Sequence, residues 1–61
     1  MCLAVVGKVL ELEGQNAVAD VQGNRVAIVT ALVPEVKLSD CVLIHAGFAI
    51  NKIDEQEAKD L

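Results

Sequence analysis

The chain is short, apolar and acidic. It has 61 residues, 54% of them hydrophobic, with nine acidic against five basic side chains and a formal net charge of −4. A chain of this length can form only one domain with a small core. The acidic balance disfavours contacts with phosphates, and the single aromatic residue, Phe48, is too few for base stacking. We therefore expect no nucleic-acid partner.

The apolar stretches of the chain bear on its location. The longest of them, residues 2–7 and 46–50, are far shorter than the ~20 residues that span a bilayer. The first residues also lack the basic start and the long apolar stretch of a secretory signal. We therefore expect a cytoplasmic protein with no membrane partner. In that compartment its two cysteines, Cys2 and Cys41, are expected to be reduced.

The pattern of apolar residues and turn signals predicts a mainly β fold. Pro34 marks a break, residues 37–40 look like a turn, and Gly47 interrupts the last extended stretch. Several short strands at this spacing are typical of a small β-barrel, whose closure protects the edges of the sheet. The predicted strands cover residues 5–13, 17–22, 25–32, 41–46 and 48–53.

A tight hairpin is predicted where Gly23-Asn24 separates the second strand from the third. A two-residue loop at this point places Gln22 opposite Arg25. A register shifted by one residue would mix apolar and polar side chains, so the pattern favours this pairing. The register also pairs Val21 with Val26, Asp20 with Ala27 and Ala19 with Ile28, which puts the apolar Ala19, Val21, Val26 and Ile28 on one face.

The end of the chain predicts a short helix. Asp54 can cap a helix, and Glu57 follows three residues later, as in a capping box. The acidic side chains of this first turn lie where the helix dipole favours negative charge. We therefore expect a single domain, with a β-barrel over residues 1–53 and a C-terminal helix over residues 54–61.

Cys2 is the residue best placed for chemistry. Removal of Met1 would leave its thiol beside a free α-amino group, whose positive charge favours the thiolate. A thiolate is a soft ligand that suits iron. The alternative is that Cys2 is an incidental apolar residue at a poorly ordered terminus. No catalytic arrangement is recognisable elsewhere, so we expect that the protein is not an enzyme.

His45 is the only histidine of the chain. Neutral imidazole is a common metal ligand, although a lone histidine near a strand end is more often structural. Cys2 and His45 together would supply two ligands, which is half of a site that another molecule must complete. Cys41 lies inside an apolar strand, where we expect a packed or half-covered thiol that acts as a small hydrophobe.

Several blocks of the sequence are similar to one known family. In this order they resemble the HypC/HybG (HupF) family of NiFe-hydrogenase maturation chaperones, and they span nearly the whole chain. The blocks are Met1-Cys2-Leu3-Ala4-Val5, Gly7-Lys8-Val9, Leu32-Val33-Pro34-Glu35-Val36, Asp40, Val42-Leu43-Ile44-His45-Ala46-Gly47-Phe48-Ala49-Ile50 and Ile53-Asp54-Glu55-Gln56-Glu57-Ala58.

The resemblance implies an OB-like β-barrel with a C-terminal helix and a role in hydrogenase assembly. It implies binding to the iron–sulfur maturation protein HypD and to the hydrogenase large-subunit precursor. Iron would be held transiently as an Fe(CN)2CO group, with no permanently bound cofactor, and the residues that match the family's iron ligands are Cys2 and His45. The residues that we expect to contact the partners are Cys2, Leu3, Ala4, Val5, Val6, Gly7, Gly47 and Phe48.

Three departures from the family pattern and two other functions stay open. One departure is that the sequence stops at Leu61, whereas many relatives continue into a longer helix. Val6 stands where the family usually has proline, and Cys41 stands where an aromatic residue is common. The chain could instead be a small OB-like protein-interaction module without a metal role. A thiol enzyme or redox protein is less well supported, because Cys2 has no visible base or resolving partner. Iron retention by a Cys2→Ala variant would discriminate the chaperone from the interaction module.

Overall fold

The computed structural model describes residues 4–54 and 56. Five strands make up the fold: β1 (Val5–Glu13), β2 (Asn16–Val21), β3 (Asn24–Val29), β4 (Cys41–His45) and β5 (Phe48–Ile53). They close into a barrel in the order β1-β2-β3-β5-β4, which confirms the expected mainly β, OB-like barrel. Apart from Asp54 and Gln56, the helix expected over residues 54–61 lies outside the described residues. In the part of the chain that is described, no helix is long and apolar enough to cross a membrane.

Small and β-branched side chains fill the interior of the barrel. Val9, Ala19, Val42 and Ala49 are at most 1% exposed. Such short side chains suit a barrel of five strands, which leaves little room between opposite walls. The core also contains Ala17, Ile28, Val33, Val36 and Ile44.

β1 changes its inward-facing side halfway along its length. Val9 points into the core. Three positions later it is Leu12 that faces inward: it is half-buried and lies opposite the buried Ala17. The pairing with β2 shifts between Val9 and Glu11, so Leu10 is an extra residue in β1. A bulge of this kind bends a strand and increases its twist. The bend lets one strand pair with β4 at its beginning and follow β2 to its end.

The hairpin between β2 and β3 turns at Gln22-Gly23, so the predicted Gly23-Asn24 turn is wrong. Both turn residues have positive φ, 52° and 89°, which is the combination of a type I′ turn. Val21 therefore pairs with Asn24, whereas the predicted register paired it with Val26. The difference is two residues, and a shift by two leaves each side chain on its predicted face. Those shared faces are confirmed for Ala19, Val21, Val26 and Ile28.

The predicted third strand, residues 25–32, is too long, because the observed strand ends at Val29. Residues 30–40 form a loop. Two of its side chains, Val33 and Val36, enter the core and are 5% and 7% exposed. The apolar residues that suggested a longer strand therefore cover the core from a loop.

The barrel closes between β3 and β5. These strands run parallel and share one Cα pair, Val29 with Phe48. The Val29 N–H also donates a hydrogen bond of 2.9 Å to the carbonyl oxygen of Gly47. Because Gly47 belongs to the turn between β4 and β5, this turn is attached to the end of β3.

Candidate functional site

The turn between β4 and β5 positions His45 and Phe48. These residues form the last pair of the β4–β5 hairpin, on either side of Ala46 and Gly47. Both turn residues have positive φ, 53° and 83°, as in a type I′ turn. β4 therefore ends at His45, one residue before the predicted end, because Ala46 leaves the extended conformation. The imidazole and the only phenyl ring of the chain consequently lie side by side across two strands.

The beginning of β1 lies beside the end of β4. Val5 pairs with Ile44 and Val6 pairs with Leu43. Ile44 is the residue directly before His45. The first described residues of the chain are thus next to the strand end that carries the histidine, as expected if the N-terminal segment and His45 form one surface.

Apolar side chains surround His45 on the outside of the barrel. Phe48, the Cα partner of His45, is 45% exposed, and His45 itself is half-buried. Val5 is 46% exposed, but it pairs with the buried Ile44 and therefore belongs to the inner face of β1. Exposed apolar side chains that cluster in this way commonly mark a contact with another protein. We call this group the His45 surface; it consists of His45, Phe48, Leu43 and Val6.

The other residues predicted to contact partners have varied positions. Ala4 is exposed beside Val5, and Gly47 is half-buried in the β4–β5 turn. Gly7 is buried, and a Cβ atom there would lie 2.6 Å from Cδ1 of Ile44. The absence of a side chain at this position lets β1 pack closely against the core. Cys2 and Leu3 lie outside the described residues.

Asp40 holds the opposite end of β4 in place. Its Oδ2 accepts a hydrogen bond of 2.8 Å from the Lys37 N–H and lies 3.4 Å from Nζ of Lys52. The hydrogen bond from Lys37, assisted by the Lys52 ammonium group, lowers the pKa of Asp40 below its ordinary value of 3.8. The Asp40 carbonyl oxygen also accepts a hydrogen bond from the Val9 N–H. The predicted turn over residues 37–40 is confirmed, and it fixes β4 against β1.

Cys41 lies at the opposite end of β4 from His45. It is opposite Lys8 in β1 and Ile53 in β5. Its free thiol is half-buried, which confirms the expectation of a half-covered cysteine. His45 is the fourth residue after Cys41, about 13 Å further along the strand. Cys41 is therefore a suitable control position for experiments that remove a thiol.

His45 is the only predicted metal ligand within the described residues. Over residues 4–54 and 56, no group of three or more His, Cys, Asp or Glu side chains is placed to hold a metal ion. The other predicted ligand, Cys2, precedes this part of the chain. What the described part offers is one imidazole within a half-exposed apolar surface.

Val29 is a neighbour of the site that the sequence analysis missed. It pairs with Phe48, which in turn pairs with His45. No local pattern could have identified it, because the parallel pair joins two strands that are distant in the sequence. Val29 therefore extends the apolar surroundings of His45 from β5 onto β3.

The sequence is similar to known proteins over nearly its whole length. It matches the HupF/HypC family over residues 1–61. It is 45% identical to the hydrogenase maturation factor HypC of Azotobacter chroococcum mcd 1 over 60 residues, which cover 97% of this chain and 71% of that protein. The corresponding factor of Cupriavidus necator is 42% identical over 60 residues, with 97% and 67% covered.

A more distant relative agrees with these two. The hydrogenase maturation factor HypC of Escherichia coli (strain K12) is 33% identical over 66 residues, which cover 98% of this chain and 73% of that protein. The family match therefore includes both the segment before β1 and the His45 surface. The chain belongs to the HupF/HypC family.

Proposed function

We propose that this protein is a hydrogenase maturation chaperone that carries iron without catalysing a reaction. In this proposal it binds the iron–sulfur maturation protein HypD and then the hydrogenase large-subunit precursor. The cargo is an Fe(CN)2CO group, which the Cys2 thiolate ligates with the help of His45. Support comes from the family to which the chain belongs and from relatives named as hydrogenase maturation factors.

The observation that carries the proposal is the pairing of Val5 with Ile44, the residue before His45. Cys2 precedes Val5 by three residues, and an extended chain advances at most about 3.6 Å per residue. The Cα atoms of Cys2 and Val5 are thus at most about 11 Å apart. A thiolate at Cys2 can therefore reach the His45 surface without any change in the barrel.

An incomplete set of ligands suits a carrier. Cys2 and His45 supply one soft sulfur and one imidazole nitrogen, both acceptable to iron. A closed site with four protein ligands would hold the metal permanently. With two ligands from this chain, a second protein must complete the coordination, and its departure leaves the iron open to transfer.

The test is a co-purification of the protein with HypD from the same organism. We expect the wild-type complex to contain iron and to show the infrared bands of bound cyanide and carbon monoxide. Cys2→Ala should lose most of the iron and these bands, because the thiolate is the strongest ligand that this chain offers.

Cys41→Ala is the matched control, because it removes the other thiol of the chain at a position about 13 Å from His45. It should retain the iron. If Cys2→Ala keeps as much iron and as strong a cyanide band as Cys41→Ala, the chain is an interaction module without a metal role.

A further inference from the structure

The outward face of β1, β2 and β3 carries a row of paired residues. Glu11 in β1 lies opposite Val18 in β2, and Val18 lies opposite Ala27 in β3. Directly opposed residues of neighbouring strands point to the same side of a sheet. This row points outward, because the next row along the three strands enters the core.

A shallow depression lies over this row. Its volume is about 310 Å³, which is at the lower end of the range for ligand pockets and enough for one apolar side chain. Ala27 has only a methyl group as its side chain, and the side chain of Val18 is half-buried. The bottom of the depression is therefore apolar, and no long side chain fills it. Glu11 and Glu13 form its rim.

The charge of the depression favours a basic occupant. Among its lining residues are two glutamates and no lysine or arginine. Arg25 donates a hydrogen bond to Glu11, and both side chains are exposed. Within the described residues, Glu13 takes part in no ion pair. The carboxylate of Glu13 is therefore the one that a cationic side chain of a partner can approach most easily.

We propose that the depression binds an extended segment of a partner protein. An apolar side chain of that segment fills the space above Val18 and Ala27. Lysine or arginine side chains on either side of it approach Glu13 and Glu11.

The probe for this surface is the peptide acetyl-Lys-Ala-Leu-Ala-Lys-amide. In an extended strand every second side chain points to the same side, so its leucine and both lysines can face the depression together. We expect it to shift the amide NMR resonances of Val18 and Ala27 in the isotope-labelled full chain. The resonances of the loop over residues 37–39 should not move. The counterpart acetyl-Glu-Ala-Leu-Ala-Glu-amide should bind at least about fivefold more weakly, because its charges oppose the rim.

Two variants and one control variant test whether the peptide binds at the depression. Glu13→Lys should weaken binding of the lysine peptide by about fivefold, and Ala27→Arg should abolish it by filling the depression. Glu35→Lys makes the same charge change on the exposed loop and should have no more than a small effect. The proposal is overturned if the lysine peptide leaves Val18 and Ala27 unchanged, or if Glu13→Lys and Glu35→Lys weaken it equally.

The failure of this inference can be distinguished from a failure of the proposed function. If the wild-type complex with HypD retains iron but the peptide does not bind, only the docking surface is refuted. If the peptide binds as expected but Cys2→Ala keeps its iron, only the metal role is refuted.

Discussion

At the scale of single residues, Gly7 and His45 show two kinds of constraint at the same end of the barrel. Gly7 is fixed by packing, because the space of a Cβ is already taken by Ile44, Ala19 and Val21. His45 lies on the surface and is positioned by the turn that follows it. The match to the family covers both residues, but only the second has a side chain that can meet a partner.

Gly7→Ala should destabilise the barrel. The added methyl group would lie 2.6 Å from Cδ1 of Ile44 and 3.1 Å from the side chains of Ala19 and Val21. Overpacking of this kind costs about 1–3 kcal/mol of unfolding free energy. In a chain of this size we expect the melting temperature to fall by at least about 4 °C.

The variant Ile44→Val provides the control, because it removes the Cδ1 atom. Alone it should cost about 0.5–1.5 kcal/mol. In the double variant, Ile44→Val should relieve part of the crowding that Gly7→Ala causes. The double variant should therefore lose less unfolding free energy than the two single variants lose together. If the losses of unfolding free energy were additive, crowding against Ile44 would not be the cause of the destabilisation by Gly7→Ala.

At the scale of elements, the turns explain where the sequence analysis succeeded and where it failed. The bounds of β1 and β5 were predicted, because glycine and a polar cluster mark their ends clearly. The β2–β3 turn was placed one residue too late, although the faces of both strands were right. Apolar alternation has a period of two, so it cannot distinguish registers that differ by two residues.

Ala46→Gly should stabilise the turn beside His45. Ala46 has a φ of 53°, a conformation that costs a residue with a Cβ about 1–2 kcal/mol and glycine almost nothing. Glycine is also more flexible in the unfolded chain, which offsets part of this gain. We expect a net increase of about 0.5–1 kcal/mol in unfolding free energy, measured by urea titration.

Ala31→Gly is the comparison for this prediction. Ala31 is an exposed loop residue without a positive φ, so glycine should only add freedom to the unfolded chain and lower the stability by about 0.4–1 kcal/mol. An equal loss in Ala46→Gly and Ala31→Gly would contradict the account of the β4–β5 turn.

At the scale of the whole molecule, barrel closure creates the surface on which the proposed function depends. The parallel pair of Val29 with Phe48 joins β3 to β5, and the pairing of Val5 with Ile44 joins β1 to β4. Pairings between distant segments leave no local signal in a sequence. The sequence therefore predicted the strands, a small barrel and the candidate ligands, and the resemblance predicted that the barrel is OB-like, but neither indicated that Val29 adjoins the His45 surface.

The central claim is that the Cys2 thiolate ligates the iron that is carried to a hydrogenase. The most direct test is the yield of active NiFe hydrogenase in cells whose only copy of this protein carries Cys2→Ala, compared with cells that carry Cys41→Ala. Both variant proteins should be present in equal amounts. The account predicts almost no active enzyme with Cys2→Ala and a normal yield with Cys41→Ala. A normal yield from both would contradict it.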